Sequence, residues 1–188
     1  MKNVLPLLLV LLAMQAMAEV NTDKKNSKSG TKVERNSRRG PFLSASSQIT
    51  LANGTMKSLE ELEIGEELTT CRNGKKVVTS VQKITVFENP SAKLVSVYLH
   101  PDQQEMKMVP ALLLEATRYH KVETNHGRKK IKKLTKDDTL YHFDPETGLV
   151  TSWKVGLIKH HTRSTPKAFN ITTADGSFWV DNLIVFND

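Results

Sequence analysis

Side chains able to act as nucleophiles, acids, bases or ligands are sparse in this chain. One cysteine and six histidines are spread over 188 residues. A lone cysteine excludes an internal disulfide framework and any multi-cysteine zinc or iron–sulfur site. Cys71 sits beside Asn73-Gly74, far from any chain end, and reads as a small apolar filler. His142 and the pair His160-His161 invite a metal reading, but adjacent histidines on a strand point to opposite faces. No metal or other cofactor is expected. By residue type alone, His120 is either a general acid–base or a core histidine with its ring satisfied. Hydroxyls cluster at Ser44, Ser46 and Ser47. Arg128-Lys-Lys-Ile-Lys-Lys133 is the densest basic run outside the N-terminal region, and a solvated loop leading into a short helix is its plain reading. Asn53-Gly-Thr55 and Asn170-Ile-Thr172 are acceptor sequences for N-glycosylation in a chain that meets that machinery.

The formal charge of +7 is unevenly distributed. Residues 19–40 hold seven bases against three acids and Lys2 adds one more, which leaves residues 41–188 with only +2. A nucleic-acid partner would want a broad basic face interleaved with aromatics, so none is expected. Residues 1–18 place Lys2 before an apolar run from Val4 to about Met14, then Ala16-Met17-Ala18. That is the layout of a secretory signal peptide, and the run is well short of the ~20 residues that span a bilayer. The expected location is therefore secreted or periplasmic, with no transmembrane segment after the leader is removed. Residues 19–40 contain two valines and no larger apolar side chain, which predicts a basic, disordered, extended linker.

The remaining domain, 41–188, contains a duplication. Leu62-x-x-Gly65-Glu66-x-Leu68 returns seventy-two residues later as Leu134-x-x-Asp137-Asp138-x-Leu140, and Val78-Thr-Ser80 returns as Val150-Thr-Ser152. Lys93–Leu99 then corresponds to Lys167–Thr173, and Val109–Leu114 to Val180–Val185. The shared order marks an internal repeat. Strands are predicted at Val77–Phe87, Lys93–Leu99, Val155–Ile158, Ala168–Thr173 and Phe178–Phe186, all rich in β-branched and aromatic residues. Asn53-Gly54, Asn73-Gly74 and Asp175-Gly176 supply turn residues. Only Ser58–Leu62 and Lys132–Thr135 look helical, about one turn each. Two such units, too small to bury a face alone, should pack about a pseudo-twofold axis around one core.

These residues, in this order, resemble the Hint superfamily of intein splicing domains and Hedgehog autoprocessing domains. The counterparts are Ser44–Thr55 with its Asn-Gly turn, Leu59–Leu68, Thr117-Arg-Tyr-His120 for the family's T-x-x-H, and Phe178–Asn187 for the terminal strand. The resemblance covers residues 41–188 and implies a mostly β, pseudo-twofold, horseshoe-shaped fold with one or two short helices. It also implies a chemistry. A first-position Cys or Ser attacks the preceding carbonyl, the T-x-x-H histidine polarises that peptide, and the threonine supports the strained linkage. In inteins a terminal Asn, assisted by a histidine before it, then cyclises.

Against that list the chain is incomplete. The family's spacing from Gly54 puts the first position at Phe42, or at Pro41 with one inserted residue, and neither is a nucleophile. Ser44 is a weak substitute, two residues out of register. Thr117, His120 and Asn187 stand in place, but Phe186 occupies the assisting histidine's position and only Asp188 follows. The expectation is a secreted Hint-like domain that has lost splicing, with autoproteolysis as its one candidate activity. The alternative is a secreted β binding module that contacts an anionic surface or another protein through Arg128, Lys129, Lys130, Lys132 and Lys133.

Overall fold

Alternating β-branched and apolar residues draw most of the chain into strands, where they fill a pleated, half-buried surface. The computed structural model describes residues 30–35, 40–72, 75–102 and 112–187. The expected signal peptide, the rest of the linker and the Asn73-Gly74 dipeptide lie outside the described residues. Strand β1 is Gly30–Arg35 and β2 is Leu43–Ser44. The first half then runs through β3 (Gln48–Thr50), β4 (Met56–Ser58), a single 3₁₀ turn at Leu59–Glu61, β5 (Glu67–Arg72), β6 (Lys75–Glu88), β7 (Leu94–Pro101) and β8 (Leu112–Thr117). The second half runs through β9 (Lys121–Val122), β10 (Lys129–Lys130), a 3₁₀ turn at Ile131–Lys133, β11 (Thr139–Phe143), β12 (Val150–Lys159), β13 (Lys167–Thr173), β14 (Ser177–Val180) and β15 (Leu183–Phe186). Hydrogen-bonded pairing links these fifteen strands into one network.

The duplication is real at the level of single hydrogen bonds. Lys57 Nζ donates to Glu66 Oε1 at 2.7 Å and Glu63 N–H donates to its Oε2 at 2.8 Å. In the second half Lys129 Nζ donates to Asp138 Oδ1 at 2.5 Å and Thr135 N–H to its Oδ2 at 2.8 Å. Leu59 and Ile131, which open the two 3₁₀ turns, are both fully buried, as are Leu68 and Leu140. They join Ile49, Val122, Leu99 and Ile171 in one core drawn from both halves.

The halves are also exchanged. β6 begins on its own neighbour β5, Glu67↔Ser80 to Arg72↔Lys75, and then continues onto β13 of the other half, Thr173↔Val81 to Lys167↔Glu88. β12 does the same in reverse, leaving β11 to pair with β7 from Trp153↔Pro101 to Lys159↔Ser96. Each half therefore completes the other's sheet, and a one-residue slip would turn every core side chain outward.

Three expectations change. Gly30–Arg35, expected within the disordered linker, forms β1 in parallel with β6, from Gly30↔Lys83 to Arg35↔Glu88. Main-chain bonding to a free sheet edge orders a polar segment without an apolar face; Val33 stays 57% exposed. Phe178–Phe186 is not one strand but the hairpin β14–β15, closed by Asp181 and Asn182 at φ of 48° and 61°. That pair of positive φ values is the two-residue turn whose twist suits a hairpin, and Asp and Asn tolerate it. Cys71 lies on β5 and is partly exposed rather than a core filler.

Candidate functional site

Thr117 ends β8 and grips the chain as it enters the domain. Its Oγ1 accepts from Phe42 N–H at 2.8 Å and donates to the Gly40 carbonyl at 2.6 Å, while its own N–H donates to the Phe42 carbonyl at 2.8 Å. The Gly40-Pro41 and Pro41-Phe42 peptides are thus bent around one hydroxyl. β2 fixes the rest of this segment, with Leu43 wedged between Ala116 on β8 and Phe169 on β13. Gly40 is required here, because a Cβ would collide with the Phe42 ring folded back over it. Gly40 is partly buried and Thr117 is 1% exposed. A cleft of about 280 Å³ lined by Ser91, Lys93, Arg118, Tyr119 and His161 opens beside it.

His120 follows in a tight turn, its N–H donating to the Thr117 carbonyl at 3.0 Å. The second 3₁₀ turn pins this bend: Ile131 N–H donates to His120 O at 2.9 Å and Lys132 N–H to Arg118 O at 3.0 Å. His120 is fully buried. The T-x-x-H spacing is therefore what lets one residue hold the incoming chain and the other sit one bend below it.

Phe42, which the resemblance would make the first position, packs its side chain into the protein. Phe42 is 1% exposed, its ring 4.1 Å from that of Phe87, in a small cluster with Ala168 that is separate from the main core. Ser44, the nearest chain hydroxyl, shares a hydrogen bond with Ser46 Oγ at 3.0 Å and accepts from Arg163 at 3.4 Å, beside the Arg163–Glu115 ion pair. Asn187 is drawn to the β13–β14 connection: its Nδ2 donates to Thr173 O at 2.9 Å, its N–H to Gly176 O at 2.9 Å, and its Oδ1 accepts from Thr173 at 3.3 Å. The structure thus joins Phe42 to Thr117, hangs His120 from the same turn, and gives Ser44 and Asn187 other partners.

The basic run divides. Lys129 is committed to Asp138, a fully buried carboxylate that also accepts from Thr135 N–H and shares a hydrogen bond with His126 Nδ1 at 3.2 Å. Burial works to raise the Asp138 carboxyl, but the bonds from Lys129, Thr135 and His126 overcome it and hold it below the ordinary carboxylate range. Arg128 lies over the Phe186 ring, 3.6 Å from its centroid. The repeated motif contains Asp138 without revealing its role, and nothing in the sequence marks Gly40; the repeated Lys-to-acid spacing of nine residues is the available signal for the former. Asp181, in the β14–β15 turn, accepts from Gln48 N–H at 2.9 Å. Burial pushes its carboxyl up to about 6, with the Glu115 charge adding to the rise and bonds from Gln48 and Ser47 opposing it. Among the described residues no group of three or more His, Cys, Asp or Glu side chains is arranged for a metal ion. His160 and His161 lie past the end of β12, in a bend where His161 has φ of 57°, not on the strand as expected.

No known family's sequence profile matches the chain, and no curated protein is similar to it in sequence. Solved structures are similar in shape. A DnaB intein from Synechocystis sp. PCC 6803 superposes with a TM-score of 0.63 at 18% identity, over 79% of this chain and 99% of that one. An intein from a hyperthermophile gives 0.61 at 11% identity, over 79% and 100%. A bacterial intein-like domain from Clostridium thermocellum gives 0.55 at 16% identity, again over 79% and 100%. The fold is that of a Hint-like, intein-type β domain.

Proposed function

We propose that this chain is a secreted Hint-like domain derived from self-splicing proteins that keeps the grip on its incoming chain and has lost splicing. One observation carries the reading: the clamp that would present a scissile peptide to a nucleophile holds Phe42 instead. Acyl transfer to a side chain needs a thiol or hydroxyl at the preceding carbonyl. A phenyl ring buried on Phe87 supplies neither. In this reading Thr117 supports the bent Gly40–Phe42 peptides and His120 is the remaining acid–base group of the ancestral site. The closing step is disabled separately. Asn187 spends its amide on Thr173, and Phe186 stands where an assisting histidine would be. The N-terminal leader pattern supports export.

Intact-mass analysis of the purified chain after brief incubation with hydroxylamine at neutral pH, which spares the Asn53-Gly54 and Asn73-Gly74 bonds, tests this. The mass should not change. Release of a fragment ending at Gly40 or Pro41 would return the protein to the self-cleaving class.

A further inference from the structure

The clamp leaves one strongly charged concavity unused. Lys121, His126, Arg128, Lys129, Lys130, Lys132 and Lys133 line a cleft of about 650 Å³, and among these lining residues none is acidic. It is built on the terminal strand. β9 pairs with β15 through Phe186↔Lys121 and with β10 through Lys130↔Lys121, so backbone pairing sets the spacing of the cations. Beneath it Asp138 is fully buried, so it anchors Lys129 and His126 from below without showing its own charge at the opening. Arg128 is laid flat on Phe186, and Lys132 lies over Tyr119, 5.3 Å from its centroid.

We infer that this cleft binds a linear sulfated polysaccharide. Its volume is several times that of a single oxyanion, which suits a segment of polyanion chain. Its concavity suits a chain and not a flat bilayer. Bases of single-stranded nucleic acid are held by stacking on open aromatic faces. Here the ring faces of Phe186 and Tyr119 already carry Arg128, Lys132 and Arg118. What remains on offer is guanidinium and ammonium donors, which match sulfate oxygens. The inference also gives Phe186 a task. At the position where an intein-type strand would carry its assisting histidine, this chain carries the plate that orients Arg128. Glycan binding does not depend on whether the clamp cleaves, so the two readings stand or fall apart.

The purified chain is titrated with a size-defined heparin oligosaccharide at low and raised sodium chloride. Binding should weaken as salt rises. The triple variant K130Q/K132Q/K133Q should lose about tenfold in affinity, from three contacts of ordinary exposed strength. F186L, which changes no charge and keeps the strand apolar, should lose about threefold through the displaced Arg128. R38Q/R39Q, in the basic N-terminal region, should change affinity by no more than about twofold. Far-UV spectra matching the parent show that each variant folds. Parent-like affinity in the triple variant, transfer of the loss to R38Q/R39Q, or equally tight binding of oligouridylate or phosphatidylserine vesicles would overturn the inference.

Discussion

Replacing Phe42 with alanine tests whether its ring is a packing residue, as the proposed loss of chemistry at this position requires. The ring is 1% exposed and meets the Phe87 ring at a centroid distance of 4.1 Å, tilted by 37°, in a cluster completed by Ala168 and flanked by the partly buried Ala92. Emptying a buried phenylalanine site costs about 3–5 kcal/mol, and the paired rings contribute about 0.5–1.5 kcal/mol of interaction. This cluster is small and one wall is partly exposed, so the site can relax and the expected loss is near the lower figure, about 3 kcal/mol. The main-chain bonds to Thr117 do not involve the ring and persist. Urea unfolding should show a lower midpoint at unchanged slope, the mark of altered stability without an altered unfolded state. Phe42→Leu, which keeps most of the volume, should lose less than half as much. A loss under about 1 kcal/mol for the alanine variant would mean that the ring is not core, and the argument from packing would fail.

Thr117→Val keeps the shape but removes the hydroxyl, leaving the Phe42 N–H and Gly40 carbonyl without that partner; a loss of about 2 kcal/mol and faster hydrogen exchange at Phe42 are expected. Parent-like exchange at Phe42 would count against the clamp. Asp181 is raised to about 6 by burial, above the ordinary unfolded value of ~3.9, so the fold favours its protonated form. Its contribution is full below about pH 4, fades as pH climbs through about 6, and at neutral pH is a penalty of at most about 3 kcal/mol. Asp181→Asn keeps an acceptor for Gln48 N–H and suits the positive φ, so it should raise neutral-pH stability and flatten the slope between those pH values. An unchanged slope would clear Asp181. In a chain secreted from mammalian cells, the exposed Asn53 turn should carry an N-glycan and Asn170, inside β13, should not; glycosidase mass shifts on N53Q and N170Q variants decide this.

The repeat was legible because identical local problems have the same local solution. An acid three residues after a chain bend and nine after a lysine fixes the same turn twice, at Glu66 and at Asp138. Both 3₁₀ turns and the stretches that became β6, β7, β12, β13 and the β14–β15 hairpin were legible from composition and spacing, whereas short strands such as β2, β9 and β10 carry too few residues to show a pattern. The exchange of β6 and β12 between halves was not, since one strand's pattern does not say whose neighbour it joins. Nor was β1, which is held by main-chain pairing that leaves no side-chain signature. At the site, the motif pointed to Thr117 and His120. Gly40, seventy-seven residues away, and the laying of Arg128 on Phe186 are products of tertiary placement.

The central claim is that the grip on the incoming chain survives while the reactive first residue it would have served is gone. Phe42→Cys places a thiol at that position. Mass spectrometry of the parent and this variant after neutral hydroxylamine treatment should find the parent uncut at Pro41 and the folded variant cut after it. A parent cut at Gly40 or Pro41, or a folded cysteine variant that stays whole, would contradict the account.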